Sequence, residues 1–124
     1  MKVTILVVDD NPDMRSTTQA LLEHYGYRAL TAGDGQEALE IQRREKAQIL
    51  LTDIFMPGTE GMETIAKFKD SWPKLRVIAM SGGGEVAKRS YLQDALHIGA
   101  DAILTKPFTL QTLRNALSPG EMID

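Results

Sequence analysis

Short apolar runs recur along the chain at Val3–Val8, Tyr27–Ala32, Ile49–Thr52, Val77–Met80 and Ala102–Leu104. Between them the apolar residues follow helical spacing, so the rhythm is that of five strand–helix units. In the first helical stretch Met14, Leu21, Leu22 and Tyr25 share a face, Asn11 stands at the N-cap, Pro12 at N1, and His24 in the last turn before Gly26. The second, from about Asp34 to Arg44, opens on Asp-Gly and pairs Glu40 with Arg44 at i, i+4, which predicts a solvated outer helix. Gly61, Ile65, Phe68 and Trp72 form a third stripe stopped by Pro73. Tyr91, Leu92, Ala95 and Leu96 form a fourth stopped by Gly99, and Leu110, Leu113 and Leu117 a fifth stopped by Pro119.

Runs one, three and four are almost continuously apolar, as strands covered on both faces must be, whereas Arg28 and Thr31 interrupt run two as an edge strand allows. Alternating strands and helices with short connections predict an α/β fold with a parallel sheet, because right-handed crossovers place helices on both sides. The expected arrangement is the flavodoxin-like doubly wound sheet of order 2-1-3-4-5, whose ligands bind at the strand carboxyl ends beside the switch between strands 1 and 3.

Composition narrows the function. The chain has 124 residues, the length of a single domain, read as residues 1–124 with a core of about 2–118 and a short tail at 119–124. Fourteen basic residues against 17 acidic ones leave a net charge of −3, which excludes a basic nucleic-acid footprint as the main activity. With no cysteine there is no disulfide framework, thiolate nucleophile or cysteine zinc site. The aliphatic stretch Ile5–Val8 is too short for a signal-peptide core or a membrane span, so a soluble, cytoplasmic protein without membrane insertion is expected.

The polar residues that close the apolar runs are Asp9 and Asp10, Asp53, Ser81 and Lys106. In the predicted topology all five converge on one sheet edge. Three carboxylates this close repel one another unless protonated or gathered around a cation. A divalent metal satisfies them, and an all-oxygen ligand set without cysteine or a nearby histidine suits Mg²⁺, with Mn²⁺ as the variant. Mg²⁺ accepts phosphate oxygens readily, Lys106 can neutralise one such oxygen, and the Ser81 hydroxyl can donate to another. Asp53 can then act as a nucleophile on phosphorus, forming an aspartyl phosphate without a general base.

Asp9-Asp10, the run Asp53-Ile54-Phe55-Met56-Pro57 with Gly61 eight residues after the aspartate, Ser81-Gly82 and Lys106-Pro107-Phe108 together resemble the receiver domain of two-component response regulators. The resemblance runs from the first strand to the fifth helix. It implies a phosphorylation-controlled signalling switch in which Asp53 accepts a phosphoryl group from a histidine kinase or phosphotransfer protein. It further implies that Asp10, Asp53 and the Phe55 carbonyl bind Mg²⁺ directly, Asp9 through water, and that Ser81 and Lys106 hold the phosphoryl oxygens. Such a domain is no enzyme in the usual sense, its chemistry being at most its own phosphorylation and dephosphorylation. The Lys106–Pro107 peptide is typically cis in the family.

Two positions depart from the pattern. Receivers usually carry Tyr or Phe three residues before the lysine, where this chain has Ile103, and the span from Ser81 to Gly99 is about three residues longer than usual, with Gly82-Gly83-Gly84 at its start. Isoleucine cannot make the rotamer change of the usual aromatic, and the longer span alters the face of helix 4, strand 5 and helix 5 through which receivers address protein targets, so the expected response to phosphorylation is a reordering of residues 82–96. The residues two beyond Asp53 and Ser81 flank the path of attacking water in the family. Here they are Phe55 and Gly83, and Phe55 is expected to prolong the aspartyl phosphate.

With no output domain on these 124 residues, the output is expected to be binding to another protein, and dimerisation through the same face is a further expectation; a receiver cut from a longer regulator would read the same. The enzymic alternative is a Mg²⁺-dependent phosphohydrolase resembling the haloacid dehalogenase group, but Asp9-Asp10-Asn11 does not supply the Asp-x-Asp that group carries on its first strand. Other residues read as structural: His24 and His97 as helix-terminal dipole partners, Met14, Met62 and Met80 as core fillers, and the triple glycine as a turn, since no Lys-Ser/Thr follows it.

Overall fold

The computed structural model describes residues 2–54, 61–82, 93–106 and 108–117. Five strands form one parallel sheet: β1 (Thr4–Val8), β2 (Arg28–Ala32), β3 (Ile49–Asp53), β4 (Arg76–Gly82) and β5 (Ala102–Lys106). Their order is β2-β1-β3-β4-β5, the predicted one, with β2 at one edge. Five helices cover it: α1 (Pro12–His24), α2 (Gly35–Glu45), α3 (Gly61–Ser71), α4, described over residues 93–97, and α5 (Leu110–Leu117).

β1 and β3 are buried on both faces while β2 and β5 are so only in part, and the strands' period of two divides the core. Leu6, Val8, Leu50, Val77 and Ala79 pack with Ala38 of α2, Ile65 and Phe68 of α3 and Ala95 of α4. Ile5, Val7, Leu51, Ile78, Met80 and Leu104 pack with Leu22 of α1 and Leu113 and Leu117 of α5 on the other face. Every strand position is thereby committed to one layer, and the polar residues at the strand ends inherit that parity.

The apolar runs mark the strands but stop short of their ends. β4 continues through Ser81 to Gly82 and β5 to Lys106, because Ser81 pairs with Thr105 and Gly82 with Lys106 in the ladder whatever their side chains. Two helical stripes are narrower than their spacing predicts. In α4 Ala95 is buried while Leu96 lies 37% exposed, and in α5 Leu110 is 36% exposed. Tyr91 and Leu92 lie outside the described residues.

Asn11 is the N-cap of α1, its side-chain oxygen accepting from the Asp13 and Met14 amides at 3.0 and 3.1 Å, and Pro12 follows where no amide needs a partner. Asn11→Ala is expected to cost about 1 kcal/mol, read as a lower denaturant midpoint at unchanged slope. Asp34 caps α2 by accepting from the Glu37 amide. That helix is less solvated than its sequence suggests: Gln42 is buried, and the charge pair formed is Arg28–Glu45 at 2.7 Å rather than the Glu40–Arg44 pair expected.

Candidate functional site

The parity of the sheet builds the site. Asp53 ends β3 on the α1/α5 face, two residues beyond Leu51, and Lys106 ends β5 on the same face, two beyond Leu104. Asp9 follows β1 directly. The Lys106 Nζ crosses the carboxyl edge and donates to Asp9 Oδ2 at 2.9 Å and to Asp53 Oδ2 at 2.8 Å. Asp9 is 1% exposed and Asp53 7%, so this pairing is made away from bulk water, where it is strong and where a missing partner would be costly.

Burial alone would lower the Lys106 pKa, but the hydrogen bonds to Asp53 and Asp9 and their negative charge outweigh it and hold the ammonium above its ordinary range. Lys106 is therefore a fixed cation at neutral pH.

The backbone holds the acids in place. The Asp9 amide donates to the Ala32 carbonyl at 3.1 Å, the Asn11 amide donates to Asp9 Oδ1 at 3.0 Å, and the Arg15 guanidinium donates to the Asp9 carbonyl at 2.9 Å. Arg15, half-buried, is a supporting residue that sequence reasoning missed, because an arginine on a helix carries no signal of a bond to the preceding turn. On β3 the Thr52 hydroxyl donates to the Asp53 carbonyl at 3.1 Å, and the Ile54 amide donates to the Met80 carbonyl at 3.0 Å.

The start of α3 presses against this strand end. A Cβ on Gly61 would lie 2.3 Å from the Ile54 Cα and 2.7 Å from the carbonyl oxygens of Asp53 and Ile54, so glycine is what lets the helix approach the backbone of Asp53 so closely.

Asp9, Asp10 and Asp53 each offer a carboxylate oxygen, and these oxygens lie within 4.8 Å of one another. Asp10 is exposed, whereas Asp9 and Asp53 are buried. Ser81 is buried on β4 with parity opposite to Lys106, on the same face as Ala79 and Val77. Ile103 packs against that face too and pairs with Ala79, two residues before Ser81. The aliphatic side chain in place of the usual aromatic thus sits half-buried below the serine. Of the sequence-predicted residues, Asp9, Asp53 and Lys106 are directly bonded, Asp10 joins the carboxylates, and Ser81 lies on the neighbouring strand. Phe55, Gly83, Gly84 and Pro107 lie outside the described residues, and with them the predicted carbonyl ligand, the water-path pair and the cis peptide.

Residues 5–118 match the model of the response regulator receiver domain. The chain belongs to the receiver family. It is 31% identical over 117 residues to sporulation initiation phosphotransferase F of Bacillus subtilis, the match covering 94% of this chain and 92% of that protein. It is 34% identical over 113 residues to the response regulator MprA of Mycobacterium ulcerans, covering 91% of this chain but 47% of the relative, so this receiver spans about half the length of some curated relatives. Among solved structures, chemotaxis protein CheY4 of Vibrio cholerae superposes with a TM-score of 0.86 at 26% identity, covering 96% of this chain and 98% of that one. A receiver domain protein of Clostridium thermocellum gives 0.84 at 30%, covering 98% and 99%.

This receiver is thus a phosphorylation-controlled signalling switch rather than an enzyme of the conventional kind. Receiver domains take phosphoryl groups from histidine kinases or phosphotransfer proteins and bind Mg²⁺ at an acidic pocket, and in this chain Asp9, Asp10 and Asp53 form an acidic cluster. No described helix is long and apolar enough to cross a membrane.

Proposed function

We propose that Asp53 is the phosphoacceptor of this switch and that the pairing of Lys106 with both Asp9 and Asp53 is the observation that carries the reading. An Asp53 carboxylate oxygen attacks phosphorus of a donor phosphohistidine, the phosphorus–nitrogen bond breaks, the imidazole leaves with the electron pair, and an acyl phosphate remains on Asp53. The Asp53 side chain is 10% exposed and that of Lys106 15%, so the carboxylate keeps a small exposed surface for a docked donor.

The donor set fits Mg²⁺: hard oxygens with two buried acids and one exposed acid, and no softer ligand among them. Asp10, Asp53 and the Phe55 carbonyl would hold the ion directly and Asp9 through water, with Mn²⁺ accepted by the same set. Bound there, the ion neutralises charge on the transferring phosphoryl group. Lys106, already protonated and aimed at Asp53, holds a second phosphoryl oxygen, and the Ser81 hydroxyl donates to a third. The same pocket supports phosphorylation by small phosphodonors and slow hydrolysis, with Phe55 retarding water.

The output is binding, through the face of α4, β5 and α5. Ser81 and Ile103 share the layer that α4 covers, so a change at the serine reaches that helix without an aromatic rotamer switch. The upstream partner is a histidine kinase or phosphotransfer protein and the downstream one a protein target in the cytoplasm. Nucleic acid is not bound directly, and self-association by the same face is an available output. The 124 residues act as one receiver unit.

The test is uptake of one phosphoryl group, read by intact mass with acetyl phosphate and Mg²⁺. The parent gains it, Asp53→Asn stays at background, and removal of Mg²⁺ by chelation abolishes the gain. Equal labelling of Asp53→Asn would overturn the assignment.

A further inference from the structure

The edge of the sheet opposite the acidic site carries a cleft of about 500 Å³ between the end of α2 and the end of α3. Its walls are the turn Lys46–Ala47–Gln48 and the turn Trp72–Pro73–Lys74–Leu75, and its surface is mostly apolar. Trp72 is half-buried, its ring tilted against the core ring of Phe68 at 5.3 Å between centroids, so the floor is anchored in the core.

Both walls are held rigid. The buried Gln42 side chain donates to the Ala47 carbonyl at 3.0 Å and accepts from the Ala47 amide at 3.1 Å, a paired amide clamp on the turn. Opposite it, the Leu75 amide donates to the Trp72 carbonyl at 3.0 Å, and Lys69 Nζ donates to the Leu75 carbonyl at 2.7 Å while pairing with Asp101 at 2.9 Å. A site fixed this way loses little freedom when filled.

The charged side chains that line it, Lys46 and Lys74, are both cations; of the acids next to the lining in sequence, Glu45 is paired with Arg28 and Asp70 is exposed on the last turn of α3. Lys46 and Lys74 are exposed on the two walls, and Arg43 and Arg44 are exposed on the last turn of α2. None of these four takes part in the ion pairs formed among the described residues, in a protein whose net charge is −3. Lys46 also adopts the left-handed backbone at φ 52°, the one non-glycine residue to do so among those described. Helices commonly end there on glycine because a side chain is strained in it, so a lysine at this position is kept at a cost to the fold.

We propose that this cleft is a docking site for an acidic peptide segment of another protein, one apolar side chain seating on Trp72 and Pro73 while flanking carboxylates meet Lys46 and Lys74. An apolar pocket supplies the anchor and the cations supply orientation and attraction, the usual division of labour in such a surface. It lies at the opposite sheet edge from Asp53, so occupancy leaves the carboxyl edge free for a phosphodonor. The site therefore fits a partner that stays bound while the switch turns over.

The experiment is amide-resolved NMR titration of the full chain with a capped peptide bearing one leucine flanked by aspartates and glutamates, beside the same peptide with lysines for the acids. The acidic peptide is expected to shift amides at residues 42–48 and 71–75, and the lysine peptide to leave them in place. Lys46→Gly relieves the backbone strain, so it should fold at least as stably as the parent yet bind about threefold more weakly, as should Lys74→Ala. Trp72→Ala should weaken binding by more than about tenfold. Equal shifts by both peptides, shifts elsewhere, or undiminished binding in Lys46→Gly and Lys74→Ala would overturn the proposal. So would binding to phosphatidylserine vesicles, lost in the same two variants, without binding to the peptide.

Discussion

Gly61→Ala is expected to lower stability by about 3 kcal/mol, a fall of about 10 °C in melting temperature for a domain of this size. A methyl group there meets the backbone at the end of β3, the Ile54 Cα at 2.3 Å and the Asp53 and Ile54 carbonyl oxygens at 2.7 Å, and backbone cannot rotate aside as a side chain would. Alanine ordinarily gains about 0.5–1 kcal/mol over glycine within a helix. At the first residue of α3 that gain is set against displacement of the helix from the strand bearing Asp53, and the overlap is the larger effect. Thermal and denaturant unfolding measure it. The variant should also take up phosphate more slowly, because the displaced strand end is the one that aims the carboxylate. Parent-like stability in Gly61→Ala would show that α3 does not sit where its closest contacts place it.

Lys106→Met should cost about 3 kcal/mol, the low end for breaking a buried pair because the lysine is 15% exposed. Methionine keeps most of the aliphatic stem, so the loss isolates the charge. It leaves Asp9 and Asp53, each formerly bonded to the same ammonium at 2.9 and 2.8 Å, facing one another. The loss should shrink with added Mg²⁺. A double-mutant cycle gives a sharper check: Asp53→Asn should be less destabilising in the Lys106→Met background than in the parent by about 1–2 kcal/mol. Additive effects would mean that the ammonium and the Asp53 carboxylate do not interact energetically.

The sheet was legible because its order follows from the alternation of buried runs with helical stripes, and the Asn11-Pro12 start of α1 because capping is a local matter. The site was legible as a list of strand-end residues, Asp9, Asp53, Ser81 and Lys106, without knowledge of which face each takes. Parity decides that, and it requires the strand lengths, which the apolar runs understate at β4 and β5. Lys106 meets Asp9 and Asp53 and not Ser81 for this reason. Helical spacing points Leu96 and Leu110 inward, yet both are partly exposed, because spacing alone does not say how wide a helix's contact stripe is. Gln42, in a helix read as solvated, is buried because its amide is spent on a turn five residues away, and Arg15 acts on the Asp9 carbonyl across a helix start; neither bond leaves a periodic trace. Gly61 stood out by position, but its physical reason is a backbone contact that only coordinates reveal.

The most direct test of the central claim is to place the phosphoryl group on a residue. After phosphorylation with acetyl phosphate and Mg²⁺, borohydride reduction converts an aspartyl phosphate to homoserine, and peptide sequencing by mass spectrometry locates it. Homoserine is expected at position 53 alone. Homoserine at position 9 or 10, or labelling of His24 or His97 with none at 53, would contradict it.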